Sequence, residues 1–314
     1  FLLHRMPKMN YFFLRCLGIL MLLICTATLA LAQVSLKTKQ YLLLIGPENT
    51  ASHQFAEDLA EIWSMPGVSF GSDLQPVSVV DGATRLKQMR DQRGHLAIIN
   101  GQEAWQLLSD HPQVKVVSVL WPNVLYLISR LQPPQIVPLT AARTVRAPLQ
   151  ALEVIRAWDE QSPVLLLQET NWFRQEETIQ ALEGFKEDVF LSWGSYPLQE
   201  IRALLNFPGY YLTEAQDTLQ KVWTQQLPWT RSYTLPAETY AGQPALQLLA
   251  EFPVLVVHET VPDSLVNNLL RSLFGHAESS NPRFLFRNLS PQHNLLFQQK
   301  LPYHPVARRF YRFP

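Results

Sequence analysis

The chain of 314 residues is 47% hydrophobic and 17% charged, with 26 basic and 26 acidic residues. That is enough apolar material for two ordinary domains, each burying its own core. Residues 1–32 hold one lysine, two arginines and no acid, so the remainder is mildly acidic. It lacks the basic footprint that nucleic acids require, and DNA and RNA are excluded as partners.

The N-terminus is the first readable element. His4, Arg5, Lys8 and Arg15 precede an uncharged run from Cys16 to Ala32, which ends in Ala30-Leu31-Ala32 before Gln33. Small residues at those two positions are what a signal peptidase pocket reads, so residues 1–32 are expected to be a cleaved signal peptide and the mature chain periplasmic. An uncleaved membrane anchor is the alternative, but the run is short of the ~20 residues a span needs. Ile24 before Cys25 argues against a lipoprotein, and Met6 or Met9 is the expected start. Both cysteines lie in this leader, so no disulfide framework or thiol chemistry is expected in the mature chain. The eight histidines show no H-x-x-x-H or H-E-x-x-H spacing, and neither a metal nor another cofactor is expected.

From Gln40 onward short apolar runs alternate with amphipathic segments. Strands are predicted at Tyr41–Ile45, Pro76–Val80, Leu96–Ile99, Val114–Leu120 and Val124–Ser129. Helices are predicted between them over Gln54–Ser64, Ala83–Arg90 and Ala104–Ser109. The proline-rich Leu131–Pro138 is read as a change of lobe. Helices at Pro148–Trp158, Gln175–Glu183, Pro197–Leu205 and Thr213–Gln226 follow, with strands at Val164–Leu167 and Val189–Trp193. A loop over Pro228–Gly242, a strand at Phe252–Val257 and a helix at Ser264–Phe274 lead into a helical and loop-like tail. Alternation of this kind predicts an α/β protein.

Three stretches in order carry a resemblance: LPAETYAGQ (Leu235–Gln243), FPVLVVHETVPDSLVNNLLRSLF (Phe252–Phe274) and LPYHPVARRFYR (Leu301–Arg312). They are similar to segments of the TAXI family of solute receptors that serve TRAP-type transporters, with Tyr240, Gly242, Gln243, His304, Pro305 and Tyr311 at the matching positions. The resemblance implies a class II periplasmic-binding-protein fold, two α/β lobes joined by crossing hinge strands, with ligand in the cleft between them. Lobe one would be residues 33–130 plus 251–314, and lobe two 131–250. It also implies a small organic anion, such as glutamate or a dicarboxylate, and TRAP-type membrane permease subunits as partners.

The candidate ligand residues follow from carboxylate chemistry, which needs fixed donors at helix starts, hydroxyls and amides. Gly46, Asn49, Thr50 and Ser52 precede the first helix, where Thr50 or Ser52 equally serves as an N-cap. Gly82 and Thr84 open the second helix, and Asn100 and Gln102 follow the third strand at the end where open α/β sheets place ligands. Trp193, Ser195 and Tyr196 match a lobe-two turn of the family, although Trp193 also suits a core. The family's glycine-rich turn that grips ligand with backbone amides reads Val145-Arg146-Ala147-Pro148-Leu149-Gln150 here, so Arg146 is the candidate carboxylate fork or else a surface arginine. A relative without a transport ligand, feeding a membrane sensor protein, is the second hypothesis. No nucleophile elbow or triad spacing supports an enzyme.

Overall fold

The computed structural model describes residues 39–48, 50–65, 72–129, 142–162, 164–174, 178–182, 186–275 and 286–314. The expected leader, the proline-rich segment 131–138 and Asn49 lie outside the described residues. The first part of the chain forms β1 (Lys39–Ile45), α1 (Ala51–Ser64), β2 (Ser72–Ser78), α2 (Gly82–Arg90), β3 (Leu96–Ile99), α3 (Gly101–Leu107), β4 (Val114–Val119) and β5 (Asn123–Ser129). The middle holds β6 (Val145–Pro148), α4 (Leu152–Asp159), β7 (Thr170–Phe173), α5 (Thr178–Leu182), β8 (Val189–Ser195), α6 (Gln199–Leu205) and β9 (Tyr211–Thr213). The last part adds α7 (Asp217–Gln226), β10 (Thr230–Leu235), β11 (Leu246–Glu251), β12 (Val254–His258), α8 (Asp263–Gly275), α9 (Pro291–Leu295) and α10 (Pro305–Tyr311).

These strands build two sheets. The first has the order β2-β1-β3-β12-β4, with β1 parallel to β2 and β3 and the late strand β12 antiparallel between β3 and β4. The second runs β10-β11-β5-β8-β6-β7, with β9 also on β5. The chain changes sheet twice, at Leu120–Pro122 and at Phe252–Pro253. The two crossings lie side by side, since the Leu120 amide donates to the Pro253 carbonyl at 2.8 Å and Glu251 pairs with Asn123. Two α/β lobes joined by crossing strands are the fold class that the resemblance implied. The sheet changes ahead of the proline-rich segment because β5 pairs with β8 and β11, not with the first sheet.

The central strands read as they pack. All four residues of β3 and all five of β12 are buried, the unbroken apolar pattern of strands covered on both faces. The edge strand β2 alternates instead and tolerates Pro76, whose missing amide costs little at an edge. The opposite edge, β4, is covered by the tail. Val116 donates to Pro302, accepts from the His304 amide, and Tyr311 Oη donates to the Val117 carbonyl. The C-terminal motif of the sequence analysis therefore closes a sheet edge that would otherwise be open to pairing.

Three sequence expectations are corrected. Val164–Leu167 is a turn, not a strand: the Leu167 amide is held by Asp159 Oδ1, and the Gln168 and Glu169 amides return to the Leu165 carbonyl. The strand comes later, at Thr170–Phe173, where it pairs in parallel with β6. The expected loop at Pro228–Gly242 contains β10, paired along its whole length with β11. The helix expected from Pro148 begins at Leu152 after a single 3-10 turn, because Val145–Pro148 is drawn into the sheet as β6.

Candidate functional site

Strand direction brings the first-lobe turns together. Ile45 is level with Ser78 across β1 and β2, and Val254 is level with Ile99 and Val119, so β1, β2, β3 and β4 all end at the edge from which the crossings leave. In open α/β sheets that carboxyl edge is where ligands sit. Gly46, Gly82 and Asn100 each follow one of these strand ends.

Around Gly46 the hydroxyls of Thr50 and Ser52 lie 2.9 Å apart, and Thr50 caps α1 by accepting from the His53 amide at 3.3 Å. The expected cap and the expected site residue are thus the same side chain. Thr84 differs: it is exposed, and the Asp81 carboxylate takes both its amide, at 2.7 Å, and its hydroxyl, at 2.9 Å. Asp81 is thus the N-cap of α2, and it holds the Thr84 hydroxyl as well. Hydrogen bonds from the Thr84 amide and hydroxyl hold the Asp81 carboxyl below its ordinary value.

Asn100 begins α3 with a reciprocal capping box, accepting from the Glu103 amide at 2.7 Å while Glu103 reaches back to the Asn100 amide. The same Glu103 carboxylate accepts from the Gly82 amide at 2.9 Å and lies 3.4 Å from Arg85 Nη2. A Cβ on Gly82 would stand 2.1 Å from Glu103 Oε2, so glycine is what admits the carboxylate to the start of α2. Arg85 is buried, at 6% exposure, with Nη1 donating to the Val79 carbonyl at 2.9 Å. Burial pulls its guanidinium below the ordinary value while Glu103 and Asp81 oppose the shift.

The crossings form the floor. Gly101 sits so close that a Cβ there would meet the Phe252 backbone oxygen at 3.0 Å and nitrogen at 3.2 Å. Burial pushes the half-buried Glu251 carboxyl up to about 7, with Glu103 adding to the rise and the Asn123 side chain and Gln102 amide opposing it. From the second lobe, Ser195 pairs with Asn123 and is buried, and Trp193 pairs with Leu125 and packs against the core. Tyr196 shares a 2.6 Å hydroxyl contact with Tyr233 and accepts at its carbonyl from Asn288 Nδ2. The space lined by Gly101, Trp105, Trp229 and Phe252 is about 10 Å³, room for roughly one water. A larger open depression of about 420 Å³ lies between α8 and α10, lined by Asp263, Asn267 and Arg309, and shares no residue with the crossings.

Arg146 is not brought to this place. It pairs in register with Phe190, about 16 Å along β8 from Ser195 at the ~3.3 Å rise of a strand. Its guanidinium is committed to Glu187 Oε1, at 2.8 and 3.1 Å, and to the Ala181 carbonyl at 2.7 Å. Against the upward push of burial, hydrogen bonds from Asn171, backbone amides and Arg146 hold the Glu187 carboxyl below its usual value. Arg146→Ala is accordingly expected to cost about 2 kcal/mol in urea unfolding, less than a fully buried pair, and to leave any solute response unchanged. A lost solute response at unchanged stability would return Arg146 to the cleft.

Arg85, Glu103, Asn123 and Glu251 were missed by sequence reasoning. Two left a signal. Gly82, Arg85, Leu86 and Met89 are the buried positions of α2, so Arg85 is a charge standing in an apolar stripe. Asn100 and Glu103 have capping-box spacing. Among the described residues no group of three or more His, Cys, Asp or Glu side chains gathers as a metal site, and no helix is long and apolar enough to cross a membrane.

No functionally curated protein matches the sequence. Among solved structures, the ligand-binding component of an ABC-type import system from Staphylococcus aureus is similar at 10% identity, over 87% of this chain and 89% of that one, with a TM-score of 0.45. The substrate-binding domain of a molybdenum ABC transporter from Clostridium difficile is similar at 13% identity, over 83% and 96%, with a TM-score of 0.44. Full-length OxyR from Pseudomonas aeruginosa is similar at 10% identity, over 86% and 79%, with a TM-score of 0.43. The family model that matches, over residues 156–312, spans β7 to β11 of the second sheet, the return crossing, β12 and the tail that covers β4. The chain belongs to the NMT1-like family.

Proposed function

We propose that this protein is an exported solute receptor of the TAXI kind, which captures a small organic anion between its lobes and presents it to TRAP-type membrane permease subunits. The observation that carries the reading is the shared edge: three donor-bearing turns of the first sheet, both crossings and the Ser195–Tyr196 turn of the second meet there. We place the hinge at Leu120–Pro122 and Phe252–Pro253, so that the lobe boundary shifts from the expected 130/131 and 250/251 and the strand Asn123–Ser129 moves with the second lobe through its pairing with β8 and β11. Closure would then be a rotation about two short segments, with ligand shifting an open–closed equilibrium.

The test is thermal-shift or calorimetric titration of the mature chain with glutamate, 2-oxoglutarate and related dicarboxylates. A receptor gains about 2.7 kcal/mol of stability when ligand stands at a hundredfold excess over Kd. No response to any organic anion, from a chain that is folded, would overturn the reading. It would favour the second one, a relative that passes a signal to a membrane sensor protein without a transported ligand. The observation on that side is Glu103, whose own carboxylate occupies the Gly82 and Arg85 donors.

A further inference from the structure

We propose that Arg85 and the amides of Gly82 and Asn100 form a carboxylate seat in the first lobe, that Glu103 is its built-in occupant, and that a ligand carboxylate takes the seat only by displacing Glu103. This rests on the receptor reading and names what that site selects for. The three donors come from separate places: the first residue of α2, the cap of α3, and a side chain on the buried stripe of α2. A guanidinium at 6% exposure requires a counter-charge, because a lone buried cation is strongly unfavourable. Glu103 supplies that charge loosely. Its one contact with Arg85 is 3.4 Å, whereas a well-made guanidinium–carboxylate pair is bidentate at roughly 2.7–2.9 Å. Arg85 Nε is buried with no hydrogen-bond partner among the described residues, so the fork has an unused donor.

Exposure is unequal in the same sense. The Glu103 side chain keeps 24% exposure against 7% for Arg85, so the carboxylate can swing out to water while the guanidinium stays. Beyond Arg85 lie the Thr50 and Ser52 hydroxyls. A Cβ built on Gly46 would be 2.8 Å from Ser52 Oγ and 4.0 Å from Arg85 Nη1, which puts hydroxyls and guanidinium around one corner. An incoming carboxylate that displaced Glu103 would find those hydroxyls beside it.

The arrangement sets a selection rule. A tethered carboxylate competes at an effective concentration in the millimolar range or above, so a ligand with one carboxylate and no other anchor is excluded. Displacement requires a second recognised group, as in a dicarboxylate or an amino acid held also from the second lobe.

The experiment is chemical rescue of Glu103→Ala with acetate as the probe. Expected is a lowered Tm that rises by several degrees, saturably, with acetate but not with chloride at equal ionic strength. The unmodified chain should show no such difference, and Arg85→Met combined with Glu103→Ala should abolish it. Parallel acetate and chloride curves for Glu103→Ala would overturn the proposal. If that variant is recovered only by refolding, the yield in acetate against chloride reads the same seat, and equal yields overturn it. Failure here is separable from failure of the receptor reading. The latter appears as an unmodified chain indifferent to every organic anion, the former as an acetate-indifferent variant.

Discussion

Asn294→Ala should lower the stability of the protein by about 2–4 kcal/mol, a large loss for one polar side chain. Asn294 is fully buried in α9, and its Oδ1 accepts from the Val119 amide at 2.7 Å. Tyr303 Oη donates to the same residue, at 3.2 Å to its carbonyl and 3.3 Å to Oδ1. Alanine leaves a buried amide at the end of β4 without its acceptor and a void where the side chain was. The position matters beyond stability, since Val119 is the last residue before the first crossing. Next to it His293, whose pKa burial lowers against the opposing hydrogen bond to Leu120, bonds through Nδ1 to the Leu120 carbonyl at 3.1 Å. The tail thereby holds the first crossing. Urea midpoints provide the measurement, with Ser290→Ala as the comparison, because Ser290 only caps the start of the same helix at 3.2 Å to the Gln292 amide. A cost at Asn294 no larger than at Ser290 would mean that the Val119 amide finds another acceptor.

The second large effect is expected from Glu251 as a function of pH. Its folded pKa of about 7 lies above that of an unfolded glutamate, near 4.3. Between those values the folded state binds more protons than the unfolded state, so stability falls as pH rises. The favourable contribution is complete below about pH 4, declines through the interval, and is gone above about pH 7. Because Glu251 keeps some exposure, the total is on the order of 1–3 kcal/mol, not the full shift converted. Glu251→Gln removes the titration while keeping the shape. Relative to the unmodified chain it should gain that amount between pH 4.5 and pH 8. Identical pH slopes for the two proteins over that range would show that Glu251 titrates as an ordinary carboxylate.

Much of the fold was legible because its central elements carry strong periodic signals. LAII, VLYLIS and the FPVLVV run read as buried strands, since covered sheets demand unbroken apolar runs. The amphipathic face of Gln54–Ser64 read as a helix, with Phe55, Leu59, Ile62 and Trp63 buried in α1. Short or mixed segments were not legible. Val145–Pro148 carries an arginine and a proline, and Thr230–Leu235 alternates behind a proline; both become strands only because partners wait at β8 and β11. The apolar run Val164–Leu167 went the other way, because four apolar residues pack equally well as a turn.

The candidate site divides along the same line. By itself the sequence determined the α/β class, the strand-end turns at Gly46, Gly82 and Asn100, and the motifs of the C-terminal part, since each depends on residues adjacent in the chain. Only the tertiary structure decided which charges meet. Glu103 reaches the start of α2 across 21 residues of sequence, Arg146 is claimed by Glu187 across 41, and Glu251 stands beside Asn123 because two crossings run together. Such pairings depend on strand order and register, and no local pattern of side chains encodes which distant carboxylate will reach which buried cation.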